Sequence, residues 1–301
     1  MNNLTLLTPT TWTEYELLDS GDGEKLERYG QVTIARPDPQ IIWRKKLPAA
    51  TWKAADATFQ RTTADKGIWK TQGKELGEWP VKWQELTFMA RLSPFKHTGI
   101  FPEQAAHWDW MRKLLQASPT TATGEQRKVL NLFAYTGGAS IVCSRAGAKV
   151  THVDASRASI GWAKANQAAS GLPSDGIRWI LDDVMKFVSR EARRGSKYDA
   201  IIMDPPVYGH GPTGETWDFK TSFPELLQLC QQILSDDPLF ILINAYAVST
   251  SAVTLGNVMA ELMDGRAGQT TIGELALAET SSIRLLSTGI FARWEMKNKV
   301  L

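Results

Sequence analysis

The segment from Asp204 to Tyr208 constrains the fold of this 301-residue chain more than any other stretch. It follows the apolar run 198–203, which has the length and composition of a buried strand. Two prolines come directly after Asp204, and because proline cannot donate a hydrogen bond to a neighbouring strand, the strand has to end there. In open α/β sheets, ligands bind at the carboxyl ends of the strands. The pattern indicates either an acid held at a ligand-binding edge or an ordinary strand end with a proline stop.

The first of three similar units upstream is the run 129–135, which leads into Gly137, Gly138 and a predicted helix. Glycine tolerates positive φ and lets a backbone approach a ligand closely. The spacing is not G-x-G-x-x-G, and no Gly-Lys-Ser/Thr follows, so neither a dinucleotide fingerprint nor a phosphate-cradling loop is predicted. The unit indicates either a ligand-binding turn or an ordinary strand-to-helix turn.

The other two upstream units, 149–154 and 177–181, each lead to an acid. Asp154 ends the first, where a carboxylate can accept hydrogen bonds from ribose hydroxyls. Asp183 follows the second, where a carboxylate can accept a hydrogen bond from an adenine amino group. Both acids have an alternative role in capping the next helix, and Ser156 is a second candidate for the first of these caps.

Taken in order, the Gly turn, the two acids and the Asp-Pro-Pro segment resemble the class I S-adenosylmethionine-dependent methyltransferases, over roughly residues 95–297. The resemblance implies an α/β fold with a Rossmann-like seven-stranded sheet, helices on both faces and an antiparallel seventh strand. It implies S-adenosylmethionine as the cofactor. The positions it assigns to the cofactor are Phe133, Ala134, Tyr135, Thr136, Gly137, Asp154, Ala155 and Asp183. The positions it assigns to the methyl acceptor are Asp204, Pro205, Pro206 and Tyr208.

Residues 95–104, 130–138 and 204–208 are similar to one subgroup, the bacterial 23S ribosomal RNA base methyltransferases of the large-subunit I-like and K/L-like types. This likeness implies an RNA substrate. It also adds three secondary cofactor positions in a segment that packs over the cofactor, namely Thr98, Phe101 and Gln104. The alternative for this segment is a turn at residues 98–99 followed by a helix that Pro102 opens.

One departure from the subgroup concerns cysteine. Its 5-methylcytosine enzymes attack the base with a cysteine placed after the fifth strand, whereas here the run 239–244 and the residues after it contain none. Cys143 and Cys230 fall within predicted amphipathic helices, where buried thiols are inert. We therefore expect direct in-line transfer to a nitrogen, in which Asp204 accepts a hydrogen bond from the substrate and Tyr208 stacks against it.

Residues 1–94 differ in sequence pattern from residues 95–301. We expect a small β-rich N-terminal domain at 1–94, followed by the methyltransferase domain at 95–301. The first part holds strand-like runs, among them 31–35, 41–43 and 81–86, separated by Gly and Pro turns. The Gly-rich stretch 209–217 after the acceptor motif is expected to be a loop that closes over the acceptor, with His210 or Trp217 touching it.

The net charge of +2 does not point to a partner. Arg36, Lys45 and neighbouring cations alternate with Trp43 and Trp52, which suits RNA or, equally, a solvated strand pair with a small aromatic core. The histidines lack metal-ligand spacing, so no metal is expected. The chain shows no signal peptide or long apolar run, and a cytoplasmic protein without a membrane segment is expected.

Several functions remain open at this stage. The leading prediction is a nucleobase methyltransferase that acts on ribosomal RNA at a nitrogen. The alternatives are a methyltransferase for a small molecule or protein side chain, and a non-catalytic protein that binds an adenosyl ligand. A nicotinamide-dependent dehydrogenase is disfavoured because the G-x-G-x-x-G spacing is absent.

Overall fold

The computed structural model describes residues 3–10, 12–63, 67–73, 75–246 and 248–297. Within these ranges the chain alternates strands and helices from about residue 128 onward, after a first part made mainly of strands. The strands are β1 (Leu4–Leu7), β2 (Tyr15–Gly21), β3 (Glu24–Tyr29), β4 (Val32–Pro37), β5 (Ala57–Arg61), β6 (Gly67–Thr71), β7 (Trp79–Trp83), β8 (Leu86–Ala90), β9 (Lys128–Leu132), β10 (Lys149–Asp154), β11 (Ile177–Leu181), β12 (Ala200–Met203), β13 (Tyr208–His210), β14 (Thr216–Asp218), β15 (Phe240–Ala245), β16 (Gly268–Ala278) and β17 (Leu285–Met296).

Four of the described helices begin at a residue whose side chain caps the first turn. Ser156, Asp183, Asp218 and Ser251 each accept a hydrogen bond from a backbone amide three residues ahead, which satisfies one of the free donors of a first helical turn. The α-helices are α1 (Ala49–Lys53), α2 (Ala105–Ala117), α3 (Gly138–Arg145), α4 (Arg157–Ala169), α5 (Val184–Arg193), α6 (Phe219–Ile233) and α7 (Ala252–Leu262), and a 3₁₀ turn, Pro102–Gln104, precedes α2.

The chain divides into two compact units, and it passes between them more than once. The first unit comprises residues 1–7, 106–275 and 288–301, and the second comprises residues 8–105 and 276–287. The expected boundary between residues 94 and 95 stays a prediction. No helix in the described ranges is long and apolar enough to span a membrane.

The first unit is built on a sheet whose described strands follow the order β1-β16-β17-β15-β12-β9-β10-β11. The strands β9, β10, β11, β12 and β15 run parallel, and β17 pairs antiparallel to β15. The Rossmann-like sheet with its antiparallel seventh strand is thereby confirmed. It gains an eighth strand that the sequence did not predict, because Leu4–Leu7 pairs with residues 272–275, far away along the chain.

Side chains of successive strand residues alternate between the two faces of this sheet and contact different helices. On one face, Ile241 and its neighbours join a core with apolar residues of α5, α6 and α7. On the other face, the ring of Phe240 lies 5.2 Å from that of Trp110 on α2, and Asn131 bonds Ser140 on α3. Helices therefore cover both faces, as predicted.

The second unit contains the sheet β2-β3-β4-β5-β6 and the hairpin β7-β8, so the predicted β-rich part is present. Its core includes an ion pair in which Arg36 Nε lies 2.5 Å from a Glu27 carboxylate oxygen. Burial by itself raises the pKa of Glu27, but the charges of Arg36 and Lys25 outweigh it and lower the pKa to about 2.

The basic and aromatic stretch 36–53 is engaged within the second unit. The predicted strand at residues 41–43 is wrong: these residues lie outside the strands, and the Ile41 and Trp43 carbonyls instead accept bonds from amides of the Asp22 turn. The ammonium of Lys45 lies 3.8 Å from the ring centre of buried Trp52. Trp52 thus belongs to a small core, as in the alternative to RNA binding, and an RNA contact by the exposed Arg44 and Lys46 stays a prediction.

A glycine in α3 makes the fold sensitive to a single methyl group. A Cβ on Gly138 would lie 2.5 Å from Cζ2 of the Trp108 ring, whereas a Cβ on Gly161 in α4 would meet no atom within 4 Å. The absent side chain of Gly138 thus accommodates the Trp108 ring of the neighbouring helix.

We expect Gly138→Ala to lower the free energy of unfolding by about 1–3 kcal/mol, because either the ring or α3 has to move. The matched variant Gly161→Ala is expected to raise it by about 0.5–1 kcal/mol, since alanine favours the helix. Urea unfolding followed by circular dichroism measures both values. Equal effects of the two substitutions would contradict this account of the packing.

Candidate active site

The pairing register brings the carboxyl ends of four strands to one edge of the large sheet. Leu132 pairs with Val153 of β10 and with Met203 of β12, and Met203 pairs with Ile243 of β15. The residues that follow these positions therefore share that edge, and they are Phe133, Asp154, Asp204 and Asn244. The predicted cofactor and acceptor positions of the first unit meet here.

The loop after β9 has an unusual backbone. Phe133 and Tyr135 have φ values of +55° and +48°, a region that costs free energy for residues other than glycine, and Gly137 follows at +83°. The amide of Ala134 donates to the Val153 carbonyl at 3.1 Å. The positive φ values and this hydrogen bond curve the backbone of residues 133–137 at the edge of the sheet.

Asp154 supports this loop from the next strand. One carboxylate oxygen accepts a bond from the Tyr135 amide and the other from the Ser156 amide, both at 2.8 Å. Burial raises the pKa of Asp154, and the two amides oppose that rise. Helix α4 is capped by Ser156, whose hydroxyl accepts from Ser159, so capping does not account for Asp154. A carboxylate has about four acceptor positions, which leaves capacity for ligand hydroxyls.

Asp183 has the capping geometry that the sequence left open. Its carboxylate accepts from the Lys186 amide at 2.9 Å and opens α5. The side chain is buried at the end of β11, beside Asp182, which forms an ion pair with Arg190. The third strand end thus also presents a carboxylate, and part of its bonding capacity is taken by the helix.

At the fourth strand end, Asp204 is partly buried, and burial raises the pKa of its carboxyl to about 6. Pro205 is buried and Pro206 is exposed. Tyr208 is 56% exposed, and its ring meets that of His210 edge-on at 5.2 Å. An acid with an elevated pKa and an accessible aromatic face lie a few residues apart.

The segment expected to be a loop over the acceptor is a short hairpin. Strands β13 and β14 pair antiparallel, and Trp217 on β14 is buried. Its indole N–H donates to the Pro206 carbonyl at 2.7 Å, and its ring contacts Phe133 edge-on at 4.7 Å. Trp217 therefore contacts both the segment after β12, at Pro206, and the loop after β9, at Phe133.

Thr98, Phe101 and Gln104 lie in the second unit, around the 3₁₀ turn before α2. Thr98 is fully buried, and the ring of Phe101 lies 5.4 Å from that of His97. Their cofactor role stays a prediction. Glu103 lies between Phe101 and Gln104, and no sequence pattern indicated it. The residue is buried, and burial raises the pKa of its carboxyl to about 7.

Several residues that support the loop after β9 were not predicted from the sequence. The Asn166 side chain on α4 donates to the Thr136 carbonyl at 2.9 Å and holds the loop after β9. Beneath the loop, Asn131 donates to Ser140 Oγ, which lies 3.0 Å from Nδ1 of His152. The signal available in the sequence was an asparagine inside a predicted helix, which local propensity disfavours.

This edge, with a strained loop followed by acids at successive strand ends, has the order of features that the sequence predicted for a methyltransferase. The sequence profile of the S-adenosylmethionine-dependent methyltransferase family matches residues 36–257. The chain belongs to this family, and its cofactor is S-adenosylmethionine.

Two curated relatives carry ribosomal RNA names. Ribosomal RNA large subunit methyltransferase K/L of Shewanella baltica (strain OS155) is 38% identical over 210 residues, which cover 69% of this chain and 27% of the relative. Ribosomal RNA large subunit methyltransferase K of Neisseria meningitidis serogroup B is 24% identical over 226 residues, covering 72% of this chain and 61% of the relative. The chain thus spans only part of the length of these relatives.

Among solved structures, the S-adenosylmethionine-dependent methyltransferase of Agrobacterium tumefaciens is 41% identical, with a TM-score of 0.91 over 97% of this chain and 94% of that one. A second methyltransferase, complexed with S-adenosylhomocysteine, is 17% identical, with a TM-score of 0.70 over 95% and 76% of the two chains. The latter shows that the fold is shared.

The residues at the edge fit the cofactor by their chemistry. The buried Asp154 carboxylate keeps acceptor capacity for two hydroxyls, and the curved backbone of residues 133–137 presents polar groups beside it. Within the described ranges, no group of three or more His, Cys, Asp or Glu side chains is arranged to hold a metal ion.

We expect Asp154→Asn to weaken S-adenosylhomocysteine binding about ten- to a hundred-fold, the loss that removing charge-assisted hydrogen bonds brings. The matched variant Ser156→Ala removes only the helix cap, so it is expected to cost about 1 kcal/mol of stability and leave the affinity unchanged. Isothermal titration calorimetry gives the affinities.

A 2′-deoxyribose analogue of the same ligand separates ribose binding from loop support. The wild-type protein is expected to bind the analogue more weakly than S-adenosylhomocysteine, and Asp154→Asn to bind both alike. If the ratio of the two affinities were the same in the wild type and in Asp154→Asn, Asp154 would not bind the ribose hydroxyl.

Proposed function

We propose that this protein methylates a nitrogen of a ribosomal RNA base by direct in-line transfer, without a cysteine nucleophile. The cofactor supplies a methyl group made electrophilic by the sulfonium charge. Phe133, Ala134, Tyr135, Thr136, Gly137, Asp154, Ala155 and Asp183 would bind that cofactor, with Thr98, Phe101 and Gln104 as secondary contacts. Asp204, Pro205, Pro206 and Tyr208 would bind the acceptor base.

The observation that carries the proposal is the presence of Asp204, with its raised pKa, and the exposed ring of Tyr208 in one short segment after the fourth strand. Base rings stack on exposed aromatic side chains, and Tyr208 offers such a face. A carboxylate beside it can accept a hydrogen bond from the N–H of a base and fix the plane of the ring. Proline at two of the three intervening positions limits backbone motion between the two contacts.

In-line transfer needs a nitrogen lone pair aligned with the methyl group and water kept out. Asp204 would orient the nitrogen and accept its proton when the base carries one. Its raised pKa suits this, because a group that titrates near neutral pH exchanges protons readily with a substrate.

The two cysteines support transfer without a covalent base adduct. Cys143 in α3 and Cys230 in α6 are both fully buried. Burial raises the pKa of Cys230 to about 12 and that of Cys143 further, so neither thiol ionises at neutral pH. The fifth strand of the family order, β15, and Tyr246 directly after it contain no cysteine.

Transfer of label from methyl-labelled S-adenosylmethionine to unmodified total RNA tests the function. Half of each sample is digested with ribonuclease and half with protease. Label released only by ribonuclease supports the proposal, and nucleoside analysis then identifies the methylated atom. Label released only by protease would assign the activity to a protein side chain, and transfer to neither would favour a small-molecule acceptor.

Asp204→Asn is expected to lower kcat/KM on RNA at least ten-fold at pH 8, because the amide cannot take up a proton. The wild-type kcat/KM should fall below about pH 6, as the carboxyl becomes protonated, and the variant should lack this dependence. Asp236→Asn, the same change at an exposed position, serves as the control. A wild-type profile without a decline below pH 6 would exclude Asp204 as the proton acceptor.

Asp204→Asn is expected to lower activity but to raise the stability of the folded state. A carboxyl whose pKa is higher in the folded state destabilises that state once it ionises, and this cost is complete above pH 6 and absent below about pH 4. We expect Asp204→Asn to be more stable than the wild type by on the order of 1–3 kcal/mol at pH 8 and equal at pH 4. Thermal unfolding at both pH values measures the difference.

Replacing the cysteines tests the in-line route. Cys143→Ala and Cys230→Ala are each expected to keep kcat/KM within about three-fold of wild type and to lose about 1 kcal/mol of stability through the small cavity left behind. Tyr208→Ala, which removes the stacking surface, should instead raise KM for RNA about ten-fold or more. A folded cysteine variant without activity would argue for a covalent step.

A further inference from the structure

A cavity of about 470 Å³ opens at the amino-terminal edge of the large sheet, at the opposite ends of the strands from the candidate active site. The edge is separated from the active-site edge by the length of β9, which is about 15 Å for a five-residue strand. None of its lining residues has a part in the proposed reaction. The lining includes Lys128, Lys149, Thr151, Arg178, Glu191 and Tyr198.

Three cations converge on this cavity from three neighbouring strands. Lys128 and Lys149 are the first residues of β9 and β10, and they are direct partners in the strand register. Directly paired residues on adjacent strands place their side chains on the same face, and like charges there repel one another. Arg178 pairs with Thr151 and adds a third cation from β11.

The acids nearby are Glu125, Asp175 and Glu191, and they neutralise this charge only in part. Asp175 also lines the cavity, but it is exposed, where a charge pair contributes little. Glu125 lies 3.8 Å from Lys128, but its side chain is 67% exposed, where such a pair contributes little. Glu191 already accepts bonds from Arg194 at 3.0 Å and from the Tyr198 hydroxyl at 2.9 Å, and it lies 4.0 Å from Arg178.

Lys197 and Lys149 differ in their hydrogen-bond partners. Lys197, also in the lining, donates to the carbonyls of Gln232 and Leu234 at the end of α6, so it has a structural partner. The Lys149 ammonium forms no hydrogen bond or ion pair with any residue that the structure describes. Its direct partner in the strand register is Lys128, which repels it.

We propose that this cavity binds phosphate groups of the RNA backbone and so holds the substrate about 15 Å from the acceptor base. The proposal rests on the proposed function, since the RNA is its ligand. Lysine and arginine bind phosphate through charge-assisted hydrogen bonds, and a bound phosphate would relieve the repulsion between the paired lysines.

The exposure of the cations favours a polymer backbone over a small anion. Lys128 keeps 46% and Arg178 keeps 53% of the side chain exposed, so both can follow a phosphate chain that passes across the edge. A small phosphorylated ligand is held instead by mostly buried groups, since a ligand pocket covers most of the ligand surface.

The test compares Lys128→Gln/Lys149→Gln with Lys113→Gln/Lys164→Gln, which removes the same charge from exposed positions on α2 and α4. Binding of an unmodified ribosomal RNA transcript is measured by fluorescence anisotropy over a series of KCl concentrations. The cavity variant is expected to bind RNA about ten-fold more weakly at low salt. The slope of log K against log salt should fall in magnitude by about 1.4–1.8, the effect of two lost phosphate contacts.

In methylation assays the cavity variant should show a raised KM for RNA, an unchanged kcat and an unchanged affinity for S-adenosylmethionine. The control variant should match the wild type in slope and KM. Equal slopes for the wild type and the cavity variant would overturn the proposal, whether or not RNA is methylated.

Inorganic pyrophosphate, titrated by calorimetry, separates a failure of this proposal from a failure of the proposed function. If the wild type methylates RNA and only the cavity variant loses RNA affinity and pyrophosphate binding, both proposals are supported. If the protein binds pyrophosphate in this cavity but does not bind RNA, the assignment to the RNA backbone is overturned and a free phosphorylated ligand takes its place.

Discussion

The register of the parallel strands is the constraint on which the rest of the site depends. Backbone hydrogen bonds between β9, β10, β12 and β15 bring Leu132, Val153, Met203 and Ile243 level with one another. Because side chains alternate with a period of two, a slip by one residue would move each apolar side chain to the opposite face of the sheet. The buried cores on both faces prevent such a slip, and they therefore also place the acids at one edge.

Polar groups then shape that edge. The loop after β9 holds positive φ at Phe133 and Tyr135, a cost that persists only where the surroundings enforce it. Asp154 bonds the Tyr135 amide and Asn166 bonds the Thr136 carbonyl, so one carboxylate and one amide hold the loop in its curve. The chain from Asn131 through Ser140 to His152 lies below, and burial lowers the pKa of His152 to about 3, so the ring stays neutral.

Trp217 joins two of the segments at this edge. Its contacts with Phe133 and with the Pro206 carbonyl link the loop after β9 to the segment after β12. The two segments thus pack against one buried ring, and close packing fixes their separation. The charged groups of the amino-terminal edge, around Lys149, lie at the other ends of the same strands.

The sequence by itself determined the class of fold and the position of each strand end in the candidate site. Local signals located the strand ends, because proline stops a strand, glycine permits a tight turn, and the apolar runs have strand length. The fold class was implied by the resemblance of their ordered series to the methyltransferase family. Only the tertiary structure decided which backbone groups Asp154 holds, that Trp217 lies beneath the acceptor segment, and that Lys128 and Lys149 meet at the opposite edge. It also decided that Leu4–Leu7 extends the sheet and that Arg36 pairs with Glu27. These contacts join residues distant along the chain, and no local pattern records which distant partner a side chain will meet.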